Sequence, residues 1–309
     1  MKFLTIIIVV MILKLADFRG LVHRDSWYHS FRKRWLAPDE TSDQRQLLFG
    51  LLLPASVVAA LISLFEGWMF GLVGLALNIF VLLYCFGRED LSVQISDYLN
   101  KVRNKDTEGA YRFALETGLV SDEHTVDDES SLTKKMLSGL MYQEFQRFFL
   151  VLFWYLVLGA FGALFICFGM LIRQVDTKID TKENNNFSLV TRFIAAAQWI
   201  PVRILAFTFG LIGNFEKVYQ SYKKSISEYD FGDETLPAQG VLSECGFAAM
   251  GFAVDDAQSG SVPDGEPNMP DNTYIQLVEQ VEETQRLLHR SLIIWLAGLS
   301  VLMLVGWFS

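Results

Sequence analysis

The fold is decided around the stretch QWIPVRILAFTFGLIGNFEK, residues 198–217. The stretch overlaps an apolar run over residues 189–212, and a helix needs about 20 such residues to cross roughly 30 Å of hydrocarbon. Pro201 and Arg203 stand inside this run, although a helix that faces only lipid is more stable without either. An arginine near the centre of such a helix costs about 2.5–3.5 kcal/mol. The run therefore predicts a membrane helix whose proline and arginine have a special environment.

Composition extends this prediction to the whole chain of 309 residues. Hydrophobic residues make up 51% and aromatic residues 14%, and the mean hydropathy is +0.29, which is more apolar than one soluble core requires. Charged residues are sparse or absent over several windows of membrane-spanning length. These windows are residues 47–65, 67–86, 148–172, 189–212 and 292–308, preceded by a short anchor over residues 3–15. We expect that anchor to be uncleaved, because ADFRG follows it where a signal peptide would have small residues.

Polar segments between the apolar runs show helical spacing of their apolar residues. Amphipathic helices are expected to begin at Leu91 and Thr273, and further helices at Leu132 and Glu216. Residues 19–46 are rich in Lys and Arg, which places this short loop in the cytoplasm and the amino terminus outside. We expect residues 189–212 to cross, so that both large polar blocks are cytoplasmic. If this run lies along the interface instead, the last polar block faces the periplasm.

The predicted fold class is all-α, a polytopic membrane helical bundle with amphipathic cytoplasmic helices. Its organisation follows the order of apolar and polar segments. Residues 1–86 hold the anchor, the basic loop and a transmembrane hairpin, and residues 87–147 form a cytoplasmic helical segment. Residues 148–213 hold a long transmembrane helix and the kinked helix with Pro201. Residues 214–290 form acidic cytoplasmic helices and a loop over residues 230–271 that is rich in Gly, Pro and Asp, and residues 291–309 form the last transmembrane helix.

Charge and motifs exclude several classes of function. The net charge is −9, and residues 214–290 hold 14 acidic against 5 basic residues, so nucleic acid is not an expected partner. The three cysteines form no CxxC pair and the four histidines no HExxH motif, so we expect no metal and no cofactor. Phosphate-binding glycine loops and a GxSxG motif are also absent from the sequence.

Polar residues at two apolar runs are the candidate binding site. Arg203 beside the kink at Pro201 suits a polar or anionic small ligand, because guanidinium pairs with phosphate or carboxylate. Gln143 and Arg147, four residues apart at the start of another run, are candidates to line the same cavity. Two structural explanations stay open: Arg203 reaches the headgroups or pairs with an acid, and the other two form an interfacial collar. Membrane lipids are expected partners, and both homo- and hetero-oligomers stay open.

The block around Pro201, the order of the apolar segments and the VLFW run at residues 151–154 resemble the AmpE family. That resemblance implies a bacterial inner-membrane protein with several spans, which acts in the control of chromosomal β-lactamase induction. The AmpE family is in turn similar to the CobD/CbiB cobinamide-phosphate synthases. Their W-x-P-x-R block is matched here by Trp199, Pro201 and Arg203, and a trace of a second motif in LPAQGVLSECGFAAMG includes Glu244. The resemblance therefore adds Trp199 and Glu244 to the candidate ligand-binding residues.

Departures from the synthases point away from their ATP-dependent chemistry. The places of their acidic E-N-x-x-D pattern hold Tyr142, Gln143 and Gln146, and their N-T-x-D-S and G-R-D-T segments have no clear match. Carboxylates would be needed to hold Mg²⁺ against phosphates. We therefore expect a non-enzymatic regulator that binds a polar or anionic ligand. The alternative is a CobD/CbiB-like ligase or transferase that acts on a corrinoid or another amphiphilic substrate.

Overall fold

The computed structural model describes residues 2–15, 50–65, 72–86, 91–104, 106–120, 129–179, 189–228, 238–251 and 271–304. Within these ranges every regular element is a helix, so the all-α prediction is confirmed. The basic loop predicted over residues 19–46 lies outside the described residues. So do the turn of the predicted hairpin and the last residues of the predicted final span.

The helices are numbered here in chain order. They are α1 (Lys2–Leu15), α2 (Leu53–Phe65), α3 (Leu72–Phe86), α4 (Leu91–Arg103), α5 (Thr107–Glu116), α6 (Glu129–Glu144), a π-helical turn (Phe145–Leu150), α7 (Val151–Leu158), α8 (Ala160–Ile179), α9 (Leu189–Ile212), α10 (Phe215–Glu228), α11 (Ala238–Met250) and α12 (Asp271–Leu304).

The described helices divide between two compact units. The first unit comprises residues within 1–89, 146–201 and 298–309. In it α1 and α2 pack on α3, and α8 packs on α2, α3 and α7. The inner face of α3 is buried, with Leu82 and Phe86 almost inaccessible, whereas Leu72 and Phe80 are more than 60% exposed. Apolar side chains on both faces are expected where the outer face meets lipid.

One helix of the described chain is long and apolar enough to cross a membrane, namely α9. At 1.5 Å per residue its 24 residues extend roughly 36 Å, which exceeds the thickness of the hydrocarbon core. Four shorter apolar helices coincide with predicted runs: Phe3–Leu13, Gly50–Leu64, Leu72–Phe86 and Ala160–Arg173.

The long helix expected over residues 148–172 is divided in the structure. The chain leaves the helix at Gly159, whose φ is 70° and ψ is −152°, and α8 starts at the next residue. Residues other than glycine rarely adopt this backbone conformation. Apolar composition does not distinguish a continuous helix from two helices, and the interruption depends on this one residue.

The second unit comprises residues within 90–145 and 202–297. Helix α4 packs on α5, and α11 packs on both α6 and α10. The sequence predicted a loop over residues 230–271, whereas α11 lies within it. Its residues Ala238, Val241, Leu242 and Cys245 recur at helical spacing and are buried, so packing stabilises the helix. Helix α12 continues without a break from its charged half into its apolar half.

Candidate functional site

Helix α9 continues through Pro201 because another side chain replaces the bond that proline cannot make. A residue at position 201 would donate its backbone N–H to the carbonyl oxygen of Ala197, but proline has no N–H. The indole Nε1 of Trp154 donates to that oxygen instead, at 3.1 Å. Inside a membrane no water is available for an unsatisfied carbonyl group. Trp154 therefore stabilises the helix at its proline.

Trp154 lies in α7, where its neighbours fix its position. Its ring meets that of Phe153 edge-on, with centroids 5.6 Å apart. The next residue, Tyr155, is fully buried, and its hydroxyl lies 3.4 Å from Oδ1 of Asn78 in α3. Nδ2 of Asn78 donates to the carbonyl oxygen of Gly74 at 2.8 Å. Trp154, Tyr155 and Asn78 thus bond with one another or with the backbone of this apolar unit.

Trp199 and Arg203 lie one helical turn apart on α9. The side chain of Trp199 is 49% exposed and Arg203 is half-buried, whereas Pro201 is buried. The neighbouring Ile200 is also exposed, so this side of the helix carries large apolar groups outward. The ligand-binding cavity predicted near Arg203 stays a prediction.

Gln143 binds the end of a helix in the second unit. Its Nε2 donates to the carbonyl oxygen of Thr117 at 3.0 Å, and Thr117 is the residue that caps the C-terminus of α5. Carbonyl groups at the end of a helix have no donor within that helix. The described contact of Gln143 therefore stabilises α5, in line with a structural role.

Arg147 has the same kind of contact in the first unit. Its Nε donates to the carbonyl oxygen of Phe86 at 2.8 Å, and Phe86 is the last residue of α3. The guanidinium also lies 5.1 Å from the ring centroid of Phe148, which in turn packs against Phe86 at 5.4 Å. A cation at the C-terminus of a helix is stabilised by the helix dipole. Sequence reasoning placed Arg147 at an aromatic collar but did not identify the helix end that it caps.

Glu244 is half-buried on α11, next to the buried thiol of Cys245. Burial, and secondarily the charge of Glu244, raises the pKa of this thiol to about 12. The thiol is therefore protonated at neutral pH and a poor nucleophile. A ligand-binding role for Glu244 stays a prediction.

A cleft of about 200 Å³ opens in the second unit, and sequence reasoning did not predict it. Its walls come from three helix segments: the end of α9, the end of α11 and the middle of α12. The lining residues are Ile212, Gly213, Ala249, Met250, Glu283, Arg286, Leu287 and Arg290. The spacing of Arg286 and Arg290 is visible in the sequence, but the other two walls come from distant parts of the chain.

Among the described residues, no group of three or more His, Cys, Asp or Glu side chains is placed to hold a metal ion. The polar side chains described above mostly bond to backbone carbonyls and thereby hold helices together. The part of the chain that the structure describes is all-helical and holds one helix suited to cross a membrane, which defines an all-α protein.

Comparison with known proteins gives the family. The family model described as "Regulatory signalling modulator protein AmpE" matches residues 1–234. The chain belongs to the AmpE family. The match includes Trp199, Pro201 and Arg203, together with Gln143 and Arg147, whereas Glu244 and the arginines of the cleft lie beyond it.

A curated bacterial relative is Protein AmpE of Shigella flexneri. It is 20% identical to this chain over 181 residues, which is 58% of this chain and 64% of the relative. The chain thus covers slightly less than two thirds of the length of that relative. No solved structure matches the chain.

Proposed function

We propose that this chain is a non-enzymatic protein of the bacterial inner membrane that crosses the bilayer several times and modulates a regulatory signal. The observation that supports it most is the AmpE family match over residues 1–234. The regulated output is the induction of β-lactamase, as the resemblance of the sequence implies. A polar or anionic ligand near Arg203 is the proposed signal.

The exposed surface of the first unit supports insertion in a membrane. Leu64, Leu72 and Phe80 are 74%, 65% and 61% exposed on helices that also bury an apolar inner face. Large apolar side chains that project outward from several helices are unfavourable in water and favourable against acyl chains. The side chains of Trp154 and Asn78 bond to backbone carbonyls inside the unit, as hydrocarbon requires of polar groups.

Cysteine labelling tests whether α9 crosses the membrane. Leu189 and Gln220 are both exposed, one at the start of α9 and the other in α10 beyond its end. The described native cysteines are buried, so they give a low background. In spheroplasts, an impermeant maleimide is expected to label the Leu189→Cys variant but to label Gln220→Cys only after permeabilisation. Labelling of both from the same side would refute the crossing.

The regulatory role is tested in the source bacterium by deletion of the gene. Deletion is expected to change β-lactamase induction by a β-lactam, and the wild-type gene should restore it. Arg203→Ala, expressed at the wild-type level, should fail to restore it. The control is Arg112→Ala, because Arg112 is an exposed residue of α5. Unchanged induction in the deletion strain would refute the role in β-lactamase control.

The alternative, that the chain is a CobD/CbiB-like synthase, is tested in a strain that lacks cobinamide-phosphate synthase. A non-enzymatic regulator should not rescue a bacterium that lacks cobinamide-phosphate synthase. Growth that depends on cobinamide-phosphate synthesis, restored by this chain, would refute the non-enzymatic proposal. The result would not affect the labelling test of membrane topology.

A further inference from the structure

The cleft of the second unit combines groups of opposite charge in a small volume. Arg286 and Arg290 lie one turn apart on α12, and Glu283 lies three residues before Arg286 on the same wall. About 200 Å³ corresponds to the liquid volume of roughly seven water molecules, enough for a small polar headgroup. The cleft therefore suits a ligand with one anionic group and one cationic or hydroxyl group.

The opposite walls of the cleft add hydrogen-bond acceptors. Ile212 is the last residue of α9, and Met250 is the last residue of α11, so both helices end at the cleft. The C-terminus of a helix carries partial negative charge and carbonyl groups without intrahelical donors. These walls therefore favour a cationic or hydroxyl group of the ligand, the same kind of group that would donate a hydrogen bond to Glu283.

In both long helices, α9 and α12, the cleft lies at the border between apolar and charged sequence. In α12, Arg290 is the last charged residue, and the 14 residues from Ser291 to Leu304 carry no charge. In α9, no charged residue follows Arg203 before the helix ends at Ile212. Such borders between apolar and charged sequence are expected at the level of the lipid headgroups.

The arginines stand out against an acidic background. Residues 214–290 carry 14 acidic and 5 basic residues, and two of those five line this cleft. Arg286 also pairs with Glu282 at 2.8 Å, an exposed bond that bulk solvent weakens. Arginine binds phosphate through two parallel hydrogen bonds that are strengthened by the opposite charges of the two groups. A phosphate ligand can therefore compete with Glu282 for Arg286.

We propose that this cleft binds a phosphate group that carries an amino or hydroxyl substituent, either as a lipid headgroup or as a small solute. Arg286 and Arg290 bind the phosphate, and Glu283 accepts from the substituent. The proposal does not require the regulatory role, because it rests on the cleft and its charges alone. The charged residues of the cleft, Glu283, Arg286 and Arg290, lie beyond the residues that the family model matches, whereas Ile212 and Gly213 lie within them.

Binding by the purified full chain in detergent micelles tests the proposal. Three probes are used: O-phosphoethanolamine and inorganic phosphate by calorimetry, and phosphatidylethanolamine by native mass spectrometry. The Arg286→Gln/Arg290→Gln double variant is expected to lower affinity for the bound probe by roughly tenfold or more. Glu283→Gln is expected to weaken binding of the amino-bearing probes while leaving inorganic phosphate unchanged.

Arg112→Gln is the matched control, because Arg112 forms an exposed pair with Glu108 at 2.9 Å, four residues away, like that of Arg286 with Glu282. Binding of only the lipid or only the solute supports the proposal and identifies the source of the phosphate. Failure of all three probes to bind, or equal affinity in the double variant, would overturn it. The single Arg290→Gln variant, at an exposed position, replaces the double variant if the latter does not fold.

Discussion

The indole Nε1 of Trp154 lies 3.1 Å from the carbonyl oxygen of Ala197, the acceptor that Pro201 leaves without a backbone donor. Proline in the interior of a helix costs about 3 kcal/mol, partly through this lost bond. The tryptophan restores a donor from another helix of the same unit. The two residues therefore act as a pair, and the proline of the block Trp199–Arg203 has a defined structural partner.

A double-mutant cycle tests the pairing of Trp154 with Pro201. Trp154→Phe removes the donor and should destabilise the wild-type protein by about 1–3 kcal/mol, because a buried carbonyl loses its bond. In a Pro201→Ala background the helix supplies its own N–H, so the same substitution should cost about 1 kcal/mol less. The measurement is the free energy of unfolding in detergent for all four proteins.

Trp199→Phe is the control for that cycle, because its side chain is 49% exposed on the same helix. We expect it to show little coupling to Pro201→Ala. Equal costs of Trp154→Phe in the two backgrounds would mean that the indole does not replace the missing backbone donor.

Removal of the guanidinium of Arg147 should loosen the end of α3. Arg147→Met loses a charged donor to the carbonyl oxygen of Phe86, and we expect about 1.5–3 kcal/mol of destabilisation. Arg147→Lys keeps the cation at the helix end and should lose less. Thermal unfolding in detergent measures whether Arg147→Met loses more stability than Arg147→Lys. Arg112→Gln, an exposed variant, should change little, and an equally small effect of Arg147→Met would contradict the capping role.

Gly213 should not tolerate a methyl group. A Cβ at this position would overlap the backbone carbonyl oxygen of Ala249, which cannot rotate away as a side chain can. Gly213→Ala is expected to destabilise the protein by about 1–3 kcal/mol, measured by thermal unfolding. Gly298→Ala is the matched control, because no heavy atom lies within 4 Å of its added Cβ. Equal stability of the two variants would refute the close approach at the cleft.

The buried thiol of Cys245 should make stability depend on alkaline pH. Its pKa is raised from 9.0 to about 12 in the folded protein, so the folded state retains a proton that the unfolded chain releases. The stabilising contribution is complete below about pH 9 and decreases as the pH rises towards 12. Between about pH 8 and pH 10.5 the wild type should lose up to about 2 kcal/mol more than Cys245→Ala.

Denaturant unfolding at the two pH values measures this difference. Parallel loss in the wild type and in Cys245→Ala would show that other groups account for the pH dependence. A maleimide should also react slowly with Cys245 below pH 9 and rapidly after unfolding, whereas the exposed Gln220→Cys should react at once.

Several elements follow from the sequence alone, because their periodicity is local. Apolar runs predicted α1, α3 and α9, and helical spacing predicted α4 and the first part of α12 near their observed starts. The helix over residues 238–250 was missed because Gly, Pro and Asp around it favour a loop, although Val241, Leu242 and Cys245 have helical spacing. Burial against α6 and α10 decides that segment.

Local patterns in the sequence were enough to predict helices for the described part of the chain, the apolar run of α9 and the unusual pair Pro201 and Arg203 within it. Tertiary structure decided which groups bond to these helices, since Trp154 reaches Ala197 and Arg147 reaches Phe86 across gaps in the chain of 43 and 61 residues. Hydrophobic periodicity depends on neighbours within a few residues. A hydrogen bond to a helix end or a cleft between three helices depends on packing that no local pattern contains.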